Sequence, residues 1–129
     1  MAELTDDEMH AIGDRLVAAI AAGDVDAVRA LYAPDIAVWH NFDEREQTVD
    51  DNVVTLADLH SRATQLTYTE IRRFVSPGGF VQQHVLVGNA TYGHLRMPAI
   101  IRFWVDDGRI TRLEEYIDTR QARVLFTSS

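Results

Sequence analysis

The sequence contains no cysteine, so it can form neither a disulfide bond nor a thiolate site. It also lacks a hydrophobic run long enough to span a membrane. The first residues are acidic and carry no apolar core of the kind found in a signal peptide. We therefore expect a cytoplasmic protein that has no membrane partner.

Positive charge is scarce in the chain. There are 12 lysines and arginines against 20 aspartates and glutamates, which gives a formal net charge of −8. Proteins that bind nucleic acids neutralise phosphates with clustered basic side chains. The sequence therefore predicts no nucleic-acid partner, and the excess of acidic residues serves solubility.

Motifs for metals, phosphates and nucleophilic serines are missing as well. The five histidines are spread along the chain without the His-x-His or His-Glu-x-x-His spacing of metal sites. No glycine-rich phosphate-binding loop occurs, and the serines stand outside any nucleophile motif. We expect neither a metal ion nor a cofactor.

The rest of the composition is typical of a globular protein. The chain has 129 residues, of which 47% are hydrophobic and 25% charged. A chain of this length forms one domain, residues 1–129, and buries enough surface for a core.

Helix signals fill the first part of the chain. Thr5 and Glu8 form a capping box ahead of apolar residues at helical spacing, and Gly23 ends that helix. Asp24 caps a second helix that runs to about Tyr32.

A short strand and a third helix follow. Pro34 stops the second helix, and residues 36–41 alternate as a strand. A charged loop spans residues 42–47, after which Thr48 caps the third helix. At the other end of the chain, residues 119–129 contain an apolar stretch that packs on the domain or on a partner.

Strand signals dominate the second half. Four β segments are predicted, at about residues 66–75, 80–87, 95–105 and 109–118. Asp107-Gly108 marks the last hairpin, because glycine supplies the positive φ that a tight turn needs. The order ααβαββββ predicts an α+β fold with a mostly antiparallel sheet that curls around helices and leaves a cavity.

The order of elements, together with three stretches of sequence, resembles the nuclear-transport-factor-2-like superfamily. The stretches are residues 15–24 with 31–35, residues 39–41, and residues 107–110 running through 115–118. The superfamily includes ketosteroid isomerase, limonene-epoxide hydrolase and the SnoaL-type polyketide cyclases. The resemblance covers nearly the whole chain and implies a cone-shaped sheet wrapped around three helices.

The ketosteroid-isomerase site does not carry over to this sequence, because none of its three catalytic positions holds a residue that can perform the required step. The carboxylate base falls on Asn41, which cannot abstract a proton, and the two oxyanion donors fall on Leu16 and near Ile100. Steroid isomerisation by that mechanism is therefore excluded.

The epoxide-hydrolase site carries over in part. Its water-binding Tyr, Asn and Asp fall on Trp39, Asn41 and Asp118. Its Arg-x-Asp pair falls on His84 and Leu86, so the proton-donating acid is missing. An epoxide-hydrolase-like enzyme with an altered acid stays as an alternative.

The resemblance to SnoaL-like cyclases and dehydratases implies one Asp or His acting in an apolar pocket. On this interpretation Asp118 is the base, His84 its acid or orienting partner, and Asn41 anchors a water or an oxyanion. The implied pocket residues are Trp39, Trp104, Tyr116, Leu16, Leu86 and Ile100.

Each of these residues also has a purely structural interpretation. Asp118 could cap the end of the chain or pair with Arg112 or Arg120, and Asn41 could simply end its strand. Trp104 shares a strand face with Arg102, and that face lines either the pocket or a dimer interface.

The sequence thus predicts a cofactor-free acid/base enzyme, a cyclase, dehydratase, isomerase or hydrolase. Its partner is an apolar, oxygenated small molecule held in the cone. The alternative of another class is a non-catalytic ligand-binding or dimerisation module. Both predict a homodimer formed through the open face of the sheet.

Overall fold

The three predicted helices are present in the computed structural model, which describes residues 4–128. Their bounds are α1 (Asp6–Ala22), α2 (Val25–Leu31) and α3 (Val49–Arg62). Each begins at the expected cap, and the capping boxes of α1 and α3 are both formed. Gly23 ends α1 with φ at 72°, which a residue bearing a Cβ adopts only with strain.

One sheet of six strands wraps around the helices, and two of its strands precede the third helix in the chain. The strands are β1 (Tyr32–His40), β2 (Glu46–Gln47), β3 (Ala63–Ser76), β4 (Gly79–Ala90), β5 (Gly93–Asp106) and β6 (Arg109–Ile117). Their order in the sheet is β2-β1-β6-β5-β4-β3. Only β1 and β6 pair in parallel, so the predicted α+β class and the mostly antiparallel sheet are confirmed.

Element bounds differ from the prediction around Pro34. The second helix ends at Leu31 and β1 begins at Tyr32, so this proline lies within a strand and does not stop a helix. The pairing of β1 with β6 is irregular between Tyr32 and Ala37. Because proline has no N–H to offer a ladder, an irregular stretch of this kind is where a strand tolerates it.

Two connections are tighter than predicted. The charged loop before α3 contains β2, which pairs with β1. The link between β4 and β5 is a short hairpin, since Ala90 pairs directly with Gly93. Longer strands satisfy more backbone groups, which favours these extensions.

Two β-bulges interrupt β3. Gln65 and Glu70 both have φ at 54°, and the register with β4 shifts at each of them. A bulge adds one residue to one strand, so it reverses which side chains face the sheet's inner surface. As a result Tyr68 and Arg73, five positions apart in sequence, both face inward.

The buried side chains form two clusters. The larger joins α1 and α2 to the inner face of the sheet and contains the stacked pair Phe80 and Phe103. The smaller includes Ala122 and Leu125 of the 3₁₀ helix Gln121–Leu125. The tail therefore packs on its own chain. None of the helices within residues 4–128 has the length and apolar character that a membrane span requires.

Candidate functional site

A cavity of about 450 Å³ lies between the helices, the inner face of the sheet and the C-terminal tail. Most of its walls are apolar, with Leu16 and Ile20 from α1 and Leu86 from β4. Five titratable side chains in the wall are buried or half-buried: Tyr32, His40, Tyr68, His84 and Glu115. These five are the candidate acid, base and hydrogen-bonding groups of the site.

His40 and Glu115 form a hydrogen-bonded pair in the cavity wall. They stand side by side on the parallel strands β1 and β6, with His40 Nε2 3.1 Å from Glu115 Oε1. Their side chains are only 9% and 19% exposed. An ionised carboxylate only accepts hydrogen bonds, so Nε2 carries a proton and donates it.

The second nitrogen of His40 is unsatisfied. Nδ1 is buried and has no hydrogen-bond partner within residues 4–128. A buried polar atom left without a partner costs about 1–3 kcal/mol, and such atoms are rare in native structures. The hydrogen bond to Glu115 therefore orients this ring, and Phe42 packs beside it with ring centroids 5.2 Å apart.

His84 lies on β4, the next but one strand from β6. Its ring meets the edge of Tyr68 with centroids 4.7 Å apart. Burial lowers the pKa of His84 below its usual range, and the positive charge of Arg73 acts in the same direction, while the charge of Glu115 opposes it. Neutral imidazole therefore predominates at neutral pH.

The two phenols in the cavity wall stay protonated. Burial raises the pKa of Tyr32 and of Tyr68 far above the usual range, and the negative charge of Glu115 adds to both shifts. Tyr32 donates to Asn52 Oδ1 at 2.8 Å. The charge of Glu115 thus acts on both tyrosines and on His84.

Three of the predicted site residues line this cavity: His84, Leu16 and Leu86. Asn41 does not. Its side-chain amide bonds both backbone groups of Ile117, accepting from the N–H at 3.0 Å and donating to the carbonyl at 3.4 Å. It extends the pairing of β1 with β6, which is the structural role foreseen for it at the end of its strand.

Asp118, predicted as the base, does not line this cavity. This residue is exposed, and its Oδ1 accepts from the backbone N–H groups of Arg120 at 3.0 Å and Gln121 at 3.4 Å. A carboxylate one residue before a turn accepts from the backbone N–H groups that the turn leaves free. Asp118 therefore stabilises the turn that leads into the 3₁₀ helix and does not line the cavity.

Four predicted wall residues lie on or near the outer face of the sheet. Trp39 packs against Tyr116 with ring centroids 5.2 Å apart, and the Arg102 guanidinium lies 4.4 Å from the ring of Trp104. Ile100 is exposed.

The alternation of side chains along β1 explains the position of Trp39. Val38 and His40 face the cavity, so Trp39 between them faces outward. Whether this outer face forms a dimer stays a prediction.

The sequence analysis did not predict Glu115 and His40 as site residues. On β6 a signal was available, because Leu113, Glu115 and Ile117 share one face by alternation and a carboxylate stands between two apolar residues. His40 carried a similar signal two positions after Val38. Within residues 4–128 no group of three or more metal-binding side chains occurs.

Comparisons with known proteins agree with this architecture. The SnoaL-like domain family matches residues 14–113. No curated protein matches the chain by sequence.

Solved structures of similar shape come from several bacteria. A candidate SnoaL-like polyketide cyclase from Shewanella denitrificans OS-217 superposes with a TM-score of 0.80 at 11% identity, covering 97% of this chain and 100% of that one. An LEH-like epoxide hydrolase from M. tuberculosis has a TM-score of 0.76 at 19% identity, with coverage of 92% and 90%. The candidate polyketide cyclase IdmH from Streptomyces antibioticus has a TM-score of 0.79 at 16% identity, with coverage of 90% and 96%.

These identities are low, so the structural likeness establishes the fold and nothing about the reaction. The family match, in contrast, spans most of the chain. The chain therefore belongs to the SnoaL-like family, within the nuclear-transport-factor-2-like superfamily.

Proposed function

We propose that this protein is an acid/base enzyme that needs no cofactor and acts on a small, largely apolar, oxygen-bearing molecule in the cavity. The observation that carries the proposal is the His40–Glu115 pair, 3.1 Å apart in a mostly apolar wall. A hydrogen-bonded imidazole–carboxylate pair is a common way of moving a proton.

The cavity supports a ligand of this kind. Its volume of about 450 Å³ falls within the range of small-molecule sites, about 300–1,000 Å³. Apolar walls with a few converging polar groups bind the carbon skeleton by burial and orient its oxygens by hydrogen bonds. The polar groups available here are Glu115, His84 and Tyr68.

Glu115 serves as the base in this proposal. Its carboxylate takes a proton from a carbon or hydroxyl of the substrate, leaving the electron pair on the substrate, and returns the proton at the position where the product needs it. His40 Nε2–H holds the carboxylate in place during both transfers. A correctly placed general base contributes about 10²–10⁴-fold to a rate.

Neutral His84 contributes a hydrogen bond to a substrate oxygen. Its lowered pKa keeps a positive charge from forming beside the cavity at neutral pH. A neutral donor still stabilises the negative charge that develops on a substrate oxygen when a proton is removed. Cyclisation, isomerisation and dehydration can all begin with this step.

Epoxide hydrolysis by the mechanism of the resembling family receives no support from the geometry. Two of its three water-binding positions, Asn41 and Asp118, are engaged with backbone outside the cavity. The third position is Trp39, which lies against Tyr116 on the outer face.

Proton exchange in heavy water tests the proposal without a known substrate. A panel of apolar ketones and β-keto esters is incubated in D₂O with the wild type, His40→Asn and Asp118→Asn, and carbon–deuterium formation is followed by NMR. We expect exchange with at least one compound, a loss of about 100-fold in His40→Asn, and full activity in Asp118→Asn.

Two results would contradict the proposal. One is exchange that persists in His40→Asn but disappears in Asp118→Asn. The other is tight binding of panel members with no exchange or conversion of any of them, which supports the non-catalytic ligand-binding module.

A further inference from the structure

Arg73, Gln82 and His84 form a hydrogen-bonded chain behind the cavity wall. Arg73 Nε and Nη2 lie 3.0 Å and 2.7 Å from Gln82 Oε1. Gln82 Nε2 lies 2.9 Å from His84 Nδ1. Gln82 is only 2% exposed, so water does not compete for these bonds.

The chemistry of these groups determines which atom donates and which accepts in each of these hydrogen bonds. A guanidinium only donates hydrogen bonds, so the Gln82 atom that faces Arg73 must be the carbonyl oxygen. The amide nitrogen then faces His84 and can only donate. His84 Nδ1 must therefore accept with its lone pair, and the ring proton of the neutral form resides on Nε2.

Arg73 is anchored so that it can impose this pattern of donors and acceptors. Its side chain is 5% exposed, and Nη1 donates to Asp14 Oδ1 at 2.9 Å and to the His10 carbonyl at 3.1 Å. A Cβ placed on Gly13 would lie 2.5 Å from the guanidinium carbon. The glycine in the middle of α1 thus leaves room for this cation.

The other nitrogen of His84 is available to a ligand. His84 lines the cavity, and within residues 4–128 its Nε2 has no hydrogen-bond partner. This atom is not fully buried either, so a ligand can reach it. Since Nδ1 is occupied by Gln82, Nε2–H is the polar group that this ring offers to the cavity.

We infer that Arg73 and Gln82 are positioning residues that hold His84 as a neutral imidazole with its proton on Nε2, so that the cavity binds a ligand oxygen that can accept a hydrogen bond. A carbonyl or an enolate oxygen satisfies this donor. The inference deepens the proposed function and relies on it only for the statement that the oxygen belongs to a substrate.

Nitrogen NMR reads the position of the proton directly. Protein labelled with ¹⁵N-histidine gives long-range ¹H–¹⁵N spectra in which the Nε2–H form, the Nδ1–H form and imidazolium are distinct. The His84 signals are assigned by their loss in His84→Gln. We expect the Nε2–H form in the wild type at neutral pH.

Gln82→Glu reverses the acceptor. Its carboxylate accepts from Arg73 and also from His84, so we expect the proton to occupy Nδ1 or both nitrogens. Gln83→Glu is the matched control, because Gln83 is the adjacent residue, carries the same amide and is exposed. We expect the control to keep the wild-type spectrum of His84.

Gly13→Ala tests the hydrogen bonds among Arg73, Gln82 and His84 without substituting any of these three residues. Its methyl group displaces the guanidinium from Gln82, so we expect the His84 spectrum to lose the uniform Nε2–H pattern while the helical circular dichroism persists. This variant also decides the matter if Gln82→Glu does not fold.

The inference is overturned if wild-type His84 carries its proton on Nδ1 or is charged at neutral pH. It is also overturned if neither Gln82→Glu nor Gly13→Ala alters the His84 spectrum. None of these spectra requires turnover. A protein that shows the expected spectra and binds the panel compounds tightly, but neither exchanges nor converts any of them, would disprove the proposed function and leave this inference standing.

Discussion

His40 and Glu115 occupy paired positions on β1 and β6, the neighbouring strands that pair in parallel within residues 4–128, and their side chains meet on the inner face of the sheet. A shift of one residue in either strand would turn one of them to the outer face. Val38 and Leu113 form the preceding pair on the inner face and are both buried. The apolar pair therefore sets the register that brings the imidazole and the carboxylate together.

The lowered pKa of His84 predicts a loss of stability in mild acid. The unfolded chain binds a proton at the ordinary histidine pKa of about 6.5, whereas the folded protein resists protonation until a lower pH. As the pH falls below about 6.5, the free energy of unfolding therefore decreases, by at most about 1.4 kcal/mol per pH unit for this one group.

Urea unfolding at about pH 7.5 and about pH 5.5 measures this effect. We expect the wild type to lose on the order of 1 kcal/mol more than His84→Gln does between these conditions. His94→Gln removes an exposed histidine and is expected to behave as the wild type. Equal losses in the wild type and His84→Gln would contradict the prediction.

Tyr32→Phe is expected to destabilise the protein by about 1–3 kcal/mol. The substitution removes the 2.8 Å hydrogen bond to Asn52 Oδ1 and leaves that buried oxygen without its donor. Chemical denaturation measures the change. Tyr92→Phe, at an exposed tyrosine, is the control and should change the free energy of unfolding by less than about 0.5 kcal/mol.

Ile20→Trp is expected to fill the cavity and weaken ligand binding. Ile20 is half-buried in the cavity wall, where a larger ring takes up space that a ligand needs. The neutral dye N-phenyl-1-naphthylamine, whose fluorescence rises in apolar sites, reports on occupancy. We expect about a tenfold loss of dye affinity, which corresponds to about 1.4 kcal/mol.

Ile71→Trp is the control for the dye experiment, because Ile71 is exposed on β3 and lies outside the cavity wall. It should bind the dye as the wild type does. Unchanged affinity in Ile20→Trp would show that the dye, and by extension an apolar ligand, occupies another place.

Asp118→Ala is expected to act on the tail and not on the chemistry. The loss of two hydrogen bonds to backbone N–H groups should cost about 1 kcal/mol of stability and loosen the turn that leads into the 3₁₀ helix Gln121–Leu125. Amide hydrogen exchange of Arg120 and Gln121 measures the loosening. Unaltered exchange at these amides would contradict the stabilisation of this turn by Asp118.

The sequence predicted the fold well because its signals are local. The capping box at Thr5, the αL glycine at position 23 and the Asp107-Gly108 turn each depend on a few adjacent residues. These features, together with the alternation of the late strands, were sufficient for the sheet type and for the element order apart from the short strand β2 and the 3₁₀ helix.

The candidate site was harder to predict because it depends on which face of each strand turns inward. The resemblance assigned Trp39 to the cavity, whereas the pairing of β1 with β6 turns His40 inward. Arg73 reaches the inner face only because the bulge at Glu70 reverses the alternation of β3. Positive φ at a glutamate has no sequence signature, so this cation could not be placed in advance.

A comparison of two neighbouring glutamates tests most directly whether the cavity carboxylate moves the proton. Glu115→Gln removes the carboxylate that faces the cavity, and Glu114→Gln makes the same change one residue earlier, where the side chain pairs with Arg112 on the other face. With any compound that the wild type converts, we predict that kcat/KM falls by about 100-fold in Glu115→Gln and stays within about threefold of the wild type in Glu114→Gln. An unchanged kcat/KM in folded Glu115→Gln would contradict the claim that the cavity carboxylate moves the proton.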